Sequence, residues 1–443
     1  MLSFLKKAKA NILLLFLVLF FPISILNFVF AILNSWNSYG CEFLANFPFW
    51  FLLKSYNPSL YQSVLTNPTG RGPWFPDTWF YGPVHHLWVF PLTFFIHSAN
   101  LFFHSMLIIY TFLILCVVFL LYKAIRKDKD YLFLVAYLTV VLGFSQLLSN
   151  LRQRNIELLE FCLIIVAYLC LRKNRDYAAG SLLCFASMSK LLPFIFLPYL
   201  LVKKRFKAVM GFLNTFIIIA YIAQITLGWQ HWLFFNPHRM KVFGFPLVED
   251  IITGREYFHQ VSQNTSGLPS FVLMFFAKIN MVKPVPVVTY KVENFLVPNL
   301  IYIASAFFIF ILSFYLLYKT GKKANLFYEF SIVSLVMLLV STHANPHYYI
   351  FTIFAFISIL RMYSYDLKNY HLTKGPKILI FSAFVLFLLF IGNLVPFPIS
   401  NKILFLKDMA FNYFATYNFF VIISLILWCF MLWIYYIDYK TAT

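Results

Sequence analysis

Apolar runs of 17 to 25 residues recur from one end of the chain to the other, each closed by a short polar or basic stretch. A helix of about 20 residues covers the ~30 Å hydrocarbon layer of a bilayer. Inside lipid, a helix also satisfies its own backbone hydrogen bonds. The short alternating segments of a transmembrane barrel do not occur. The pattern therefore predicts an all-α polytopic membrane protein of about 10–13 transmembrane helices, with long loops that carry short interfacial helices. Spans are predicted near 11–33, 208–228, 299–318, 326–341, 346–362, 377–395 and 414–436. No small-residue cleavage site follows the run Asn11 to Leu33, so it reads as a retained span and not a signal peptide.

Basic stretches set the topology. Lys6 to Lys9, KKRFK at 203–207, KTGKK at 319–323, Arg361 to Lys377 and the C-terminal tail read as cytoplasmic. Residues 34–83, 229–298, 342–345 and 396–412 then lie outside, within a single domain spanning 1–443. Two arrangements remain for 84–202. In the first, 84–122 crosses once, 151–155 lies outside and 177–202 splits into two half-helices meeting at Lys190. In the second, 84–98 and 101–122 are two spans and 177–202 is one, which puts two basic loops outside. The charge rule favours the first.

Composition narrows the function. The chain is 62% hydrophobic with a net charge of +20, and the positives sit in short loops between spans. That pattern is a topology signal and a contact with anionic lipid, so no nucleic-acid partner is expected. Five of the six cysteines lie in apolar runs, Cys41 stands alone in a loop, and no C-x-x-C motif suggests a zinc site or a disulfide frame. No phosphate-cradling glycine loop or soluble nucleotide-binding domain is visible. Asn264 opens a formal glycosylation sequon.

With only 15 acidic residues, those in outer loops stand out. Glu42 sits just past the first span, before an aromatic stretch suited to the membrane interface. Partial desolvation there raises a carboxylate's basicity, which suits a general base; a solvated loop carboxylate is the plainer reading. Asp77 opens DTWFYGPVHHLWVFP, where Pro76 and Pro83 keep Asp77 and Tyr81 at the rim of the next span. His85 and His86 are adjacent, so on a helix they point apart and make a poor metal pair. Arg152 and Arg154 flank the polar break SNLRQRN, which includes Asn155, and Glu157 and Glu160 follow. They form either an internal ion-pair cluster or an outward anion site. Lys190 lies deep in apolar sequence, where a lysine either snorkels or has a function. His343, His347 and Tyr348 in THANPHYY either anchor a span mouth or hydrogen-bond a sugar or phosphate. This inventory fits an enzyme with a lipid-phosphate substrate.

Four stretches carry a resemblance. These are CEF at 41–43 with SLY at 59–61 before FYGPVHHLWVFPL, then RQRNIELL, then SKLLPFIFLPYLLVKKRFK, then PHYYIF. In order and spacing they resemble the GT-C type membrane glycosyltransferases, most closely glycosyltransferase family 87, along most of residues 1–360. Glu42 stands where the family has aspartate, Gly82-Pro83 where it has Pro-Pro, and Arg152 where it has glycine. The resemblance implies a polyprenyl-phosphate-linked donor, mannose or a related sugar, and a glycan or glycolipid acceptor. It implies a site on the outer face of a bacterial inner or plasma membrane. Glu42, or Asp77 in its place, would deprotonate the acceptor hydroxyl, and the sugar would transfer with inversion. Lys190, Arg152, Arg154, His343 and His347 would hold the donor phosphate. Tyr81, His85, His86, Asn155, Tyr348 and Asn264 would line the substrate path. The leaving phosphate is already a stabilised anion, so no metal or other cofactor is expected. A lipid or oligosaccharide flippase, or a polysaccharide polymerase or ligase, would share the spans and the lipid substrate.

Overall fold

The computed structural model describes residues 12–36, 54–65, 83–126, 130–227, 267–274, 278–282, 287–291, 296–321, 325–341, 346–366 and 410–442. The protein is an all-α polytopic membrane protein. Five helices among the described residues are long and apolar enough to cross a membrane: Val18–Trp36, Ala99–Ile125, Phe206–Thr226, Leu300–Thr320 and Phe420–Lys440. The pair Tyr131–Leu142 and Gln146–Gln153, bent by 52°, forms either a broken span or a re-entrant loop. In chain order the helices are α1 (Ile12–Trp36), α2 (Pro58–Leu65), α3 (Pro83–Thr93), α4 (Ala99–Ile125), α5 (Tyr131–Leu142) and α6 (Ser145–Gln153). Next come α7 (Glu157–Arg172), α8 (Asp176–Ser189), α9 (Phe196–Val202), α10 (Phe206–Leu227) and α11 (Leu268–Met274). The last four are α12 (Leu296–Thr320), α13 (Leu326–Val340), α14 (Ile353–Arg361) and α15 (Ala410–Ala442). An antiparallel hairpin, Lys278–Val282 with Val287–Lys291, is one element the apolar pattern did not suggest.

Helix ends follow local chemistry. Asp130 caps α5 by accepting from the Leu132 and Phe133 amides at 3.0 and 3.1 Å. Asn325 caps α13, and its own amide donates to Asp438 at 2.9 Å. The predicted spans at 11–33, 208–228, 299–318 and 414–436 reappear as α1, α10, α12 and α15. The segment predicted at 346–362 is a continuous helical run, the 3₁₀ turn Pro346–Thr352 leading into the nine-residue α14. The run at 377–395 lies outside the described residues.

In 84–202 the single long helix within 84–122 and the break in 177–202 match the shapes of the first arrangement. Helix α3 has 11 residues and rises only about 16 Å, too short to cross, whereas α4 is a continuous span. The 176–202 segment breaks at Lys190, whose backbone is extended at φ −151°, ψ 146°. Two features drive the break. Ser187 and Ser189 donate back to the carbonyls of Leu183 and Phe185, and Pro193 follows with no amide to continue a helix. The chain then returns, because Asp176 at the start of α8 pairs with Arg205 just past α9 at 2.9 Å. Helices α8 and α10 therefore start side by side and run in parallel. Glycine makes this contact possible: a Cβ at Gly180 would lie 1.7 Å from the Ala208 carbonyl oxygen, and one at Gly211 would lie 2.1 Å from that of Tyr177.

One end of the bundle collects the basic loops. Glu329, the buried acid in the first turn of α13, pairs with Lys203 at 2.6 Å. It also accepts from the hydroxyls of Tyr199 at 2.7 Å and Tyr435 at 2.9 Å. Lys203 donates further to the carbonyls of Leu317 and Gly321. Burial pushes the Lys203 ammonium below the ordinary lysine range, and Glu329 opposes that shift. This knot joins α9, α12, α13 and α15 at the end that holds Asp176 and Arg205. The opposite end carries the start of α4, the end of α1 and the α6–α7 turn. There Asn57, beside α2, donates to the carbonyls of Thr93 and Ile96, which ties part of the first long loop to the bundle.

Candidate active site

The end away from the basic loops holds the charged cluster. Helix α6 stops at Arg154, which takes the left-handed conformation at φ 55°. A non-glycine residue there is strained, and interactions elsewhere must offset the strain. The Arg154 side chain is wholly buried. Its guanidinium donates to the carbonyls of Ser35 at 2.7 Å, Phe103 at 3.2 Å and Arg152 at 3.3 Å. Arg154 thus ties the ends of α1 and α4 to the α6–α7 turn. Among the described residues the geometry gives it a clasping role on backbone carbonyls, in place of the ion pair with a neighbouring acid or the outward phosphate fork that the sequence left open. Arg152 is exposed on α6.

The turn releases the chain into α7, whose first turn carries Glu157 and Glu160, both fully buried. Lys190 reaches across from the α8 break and pairs with Glu157. The Tyr348 ring covers the ammonium, with the centroid 4.1 Å away. Lys190 keeps 8% of its surface and Tyr348 4%, while Glu157 and Glu160 keep none. Glu160 is close enough to interact electrostatically with both Glu157 and Lys190. Among the described residues, neither of its carboxyl oxygens has a hydrogen-bond partner. Asn155 is buried beside the turn; its amide nitrogen donates to Gln153 at 3.1 Å, and its side-chain oxygen finds no partner among the described residues.

Of the residues singled out from the sequence, Lys190 and Tyr348 meet in this cluster. His85 and His86 lie in the first turn of α3 and His347 in the 3₁₀ turn before α14, with their side chains outside the described residues. Glu42, Asp77, Tyr81, His343 and Asn264 also lie outside them. The sequence placed Glu157 and Glu160 in an arginine cluster, whereas the partner of Glu157 is Lys190, 33 positions away. A usable signal was present: two acids three residues apart share one face of an otherwise apolar helix. No group of three or more His, Cys, Asp or Glu that could hold a metal occurs among the described residues.

Between α11, α12 and α15 lies an open cavity of about 750 Å³, lined almost entirely by apolar side chains, with Ser305 and Trp428 the polar exceptions. Helices α10 and α12 expose apolar faces, among them Ile217, Tyr221, Phe307 and Phe308, as lipid contact requires.

Bundle and cluster together define a multi-pass helical membrane protein with a buried charged site near one end. The chain belongs to glycosyltransferase family 87, whose family model matches residues 79–342. It is therefore a membrane glycosyltransferase. No curated protein sequence matches it. The match includes the turn at Arg154, the acids of α7 and Lys190, and stops short of Glu42, Asp77, His347 and Tyr348.

Proposed function

We propose that the protein transfers a sugar, mannose or a close relative, from a polyprenyl-phosphate carrier to a glycan or glycolipid on the outer face of a bacterial plasma membrane. One observation carries this reading: the basic loops gather at one end of the bundle and the Lys190 cluster sits at the other. Positive loops stay in the cytoplasm, so the cluster faces away from the nucleotide-sugar pool. A donor that arrives through the bilayer meets that geometry. The apolar cavity beside α12 suits an isoprenoid chain, and the whole chain would act as one membrane domain.

The reaction is a single displacement. Glu42, or Asp77 in its place, takes the proton of an acceptor hydroxyl. The freed oxygen attacks the anomeric carbon and the polyprenyl phosphate departs, inverting the configuration. Lys190 and His347 stabilise the charge on the leaving oxygen. The leaving group is already anionic, so the step does not call for a metal.

The test is transfer in proteoliposomes from a panel of radiolabelled polyprenyl-phosphate sugars, with wild type beside Glu42→Gln and Asp77→Asn. Wild type is expected to transfer one sugar, and Glu42→Gln to lower the rate by about 100-fold or more, the usual contribution of a general base. Loss in Asp77→Asn alone moves the base to that residue. Binding of the lipid without transfer by wild type favours a flippase and overturns the proposal.

A further inference from the structure

We infer that Glu160, with Glu157 and Lys190, forms the pocket that recognises the hydroxyl groups of the transferred sugar, which makes Glu160 a specificity-determining residue. The inference rests on the donor reading above and deepens it.

The cluster sets two carboxyls against one ammonium. Glu157 pairs with Lys190, whereas neither carboxyl oxygen of the fully buried Glu160 has a hydrogen-bond partner among the described residues. A phosphate is negative and offers acceptors, so it is the wrong ligand for this side of the pocket. What a buried, unpartnered carboxyl needs is O–H or N–H donors. A sugar ring presents several hydroxyls in a fixed fan, and one carboxyl accepts from two neighbouring hydroxyls at once. Glu157 and Glu160 stand on one helix face, about 4.5 Å apart along the axis. Two donors on opposite edges of a single ring can engage both. Lys190 then serves two sides: Glu157 and the ring oxygens inward, and the departing phosphate on its exposed side.

The position fits as well. Glu160 lies about one turn further along α7 than Glu157, and of Glu157, Glu160, Lys190 and Tyr348 only the last two keep any exposed surface. A ring seated there is stripped of water, and a hydroxyl that is missing or misdirected leaves a buried acceptor unmet. Sites built this way reject the analogue strongly. The pocket also spans separate parts of the chain, since α7 supplies the acids, the α8 break the lysine and the 3₁₀ turn the tyrosine. A shift in any of these alters which sugar fits.

The experiment measures binding and transfer separately, on full-length protein in nanodiscs treated with EDTA. The probes are the polyprenyl-phosphate sugar, its monodeoxy and epimeric analogues, and bare polyprenyl phosphate. Wild type is compared with Glu160→Leu, which removes the acceptor at similar volume, and with Glu160→Gln, which keeps shape and one acceptor. Wild type is expected to bind the full sugar about 100-fold more tightly than one particular deoxy analogue. Glu160→Leu should bind the two alike, and Glu160→Gln should fall between. Should the leucine variant not fold, the glutamine variant carries the comparison. A wild-type preference retained in the folded variants overturns the inference, as does equal wild-type binding of sugar-bearing and bare lipid phosphate. Hydroxyl-dependent binding without transfer from any donor leaves the pocket standing and removes the transferase reading of the donor.

Discussion

At the scale of single residues, Arg154 shows how burial reassigns a charge. In sequence it stands at a polar break, open to an internal ion-pair cluster or an outward anion site. In the fold it is wholly buried, left-handed, and spent on three backbone carbonyls from three segments. A charged hydrogen bond in such a setting contributes roughly 1.5–3 kcal/mol. Arg154→Met should therefore lower the stability of the detergent-solubilised protein by about 3 kcal/mol or more, read from thermal or denaturant unfolding. The lysine variant should rescue little, because a compact ammonium lacks the spread of the planar guanidinium that reaches Ser35 and Phe103 from separate nitrogens. If Arg154 touched the donor instead, the methionine variant would raise the donor KM and leave unfolding unchanged. Lys190 has the reverse history. Sequence made it conspicuous, but its counter-ion lies on another helix and its aromatic cover on a third segment.

Among the elements, α8 and α10 matter most to the site, because α8 delivers Lys190. Their parallel contact rests on Gly180 and Gly211, where an added Cβ meets backbone oxygen and not a side chain that can swing aside. Gly180→Ala is expected to destabilise by about 1–3 kcal/mol, the usual range for overpacking, and to lower transfer because the α8 break moves with the helix. Adding Gly211→Ala should cost less than the sum of the two singles, since the first substitution has already parted the helices. Full additivity in unfolding measurements would show that the two glycines relieve separate contacts. The break itself was legible, because Ser187, Ser189 and Pro193 announce it. The direction of return was not, since it depends on Asp176 meeting Arg205.

For the whole molecule, the separation of basic loops from the acid-lysine cluster predicts sidedness. On a cysteine-free background, Lys173→Cys and Lys207→Cys should react with an impermeant maleimide only in inside-out vesicles. Arg152→Cys, exposed at the far end of the bundle, should react only in intact spheroplasts. Labelling of Arg152→Cys only in inside-out vesicles would place the cluster in the cytoplasm and remove the outer-face reading. The knot around Glu329 explains why the bundle keeps this polarity. It fastens α9, α12, α13 and α15 together at the basic end, so the long apolar helices cannot slide past one another without exposing a buried charge.

Sequence by itself determined the solvent, the element type and the sidedness signal. Apolar length and loop charge act locally along the chain, and bilayer thickness translates them directly into helices. Sequence also raised the family resemblance and pointed to Lys190, because a lysine in apolar sequence is costly wherever the chain folds. Only the tertiary structure decided which acid neutralises that lysine, that Arg154 is a clasp, and that Glu160 is left buried without a partner among the described residues. Those outcomes depend on contacts between segments 33 to 119 positions apart, and no local pattern encodes a contact at that range.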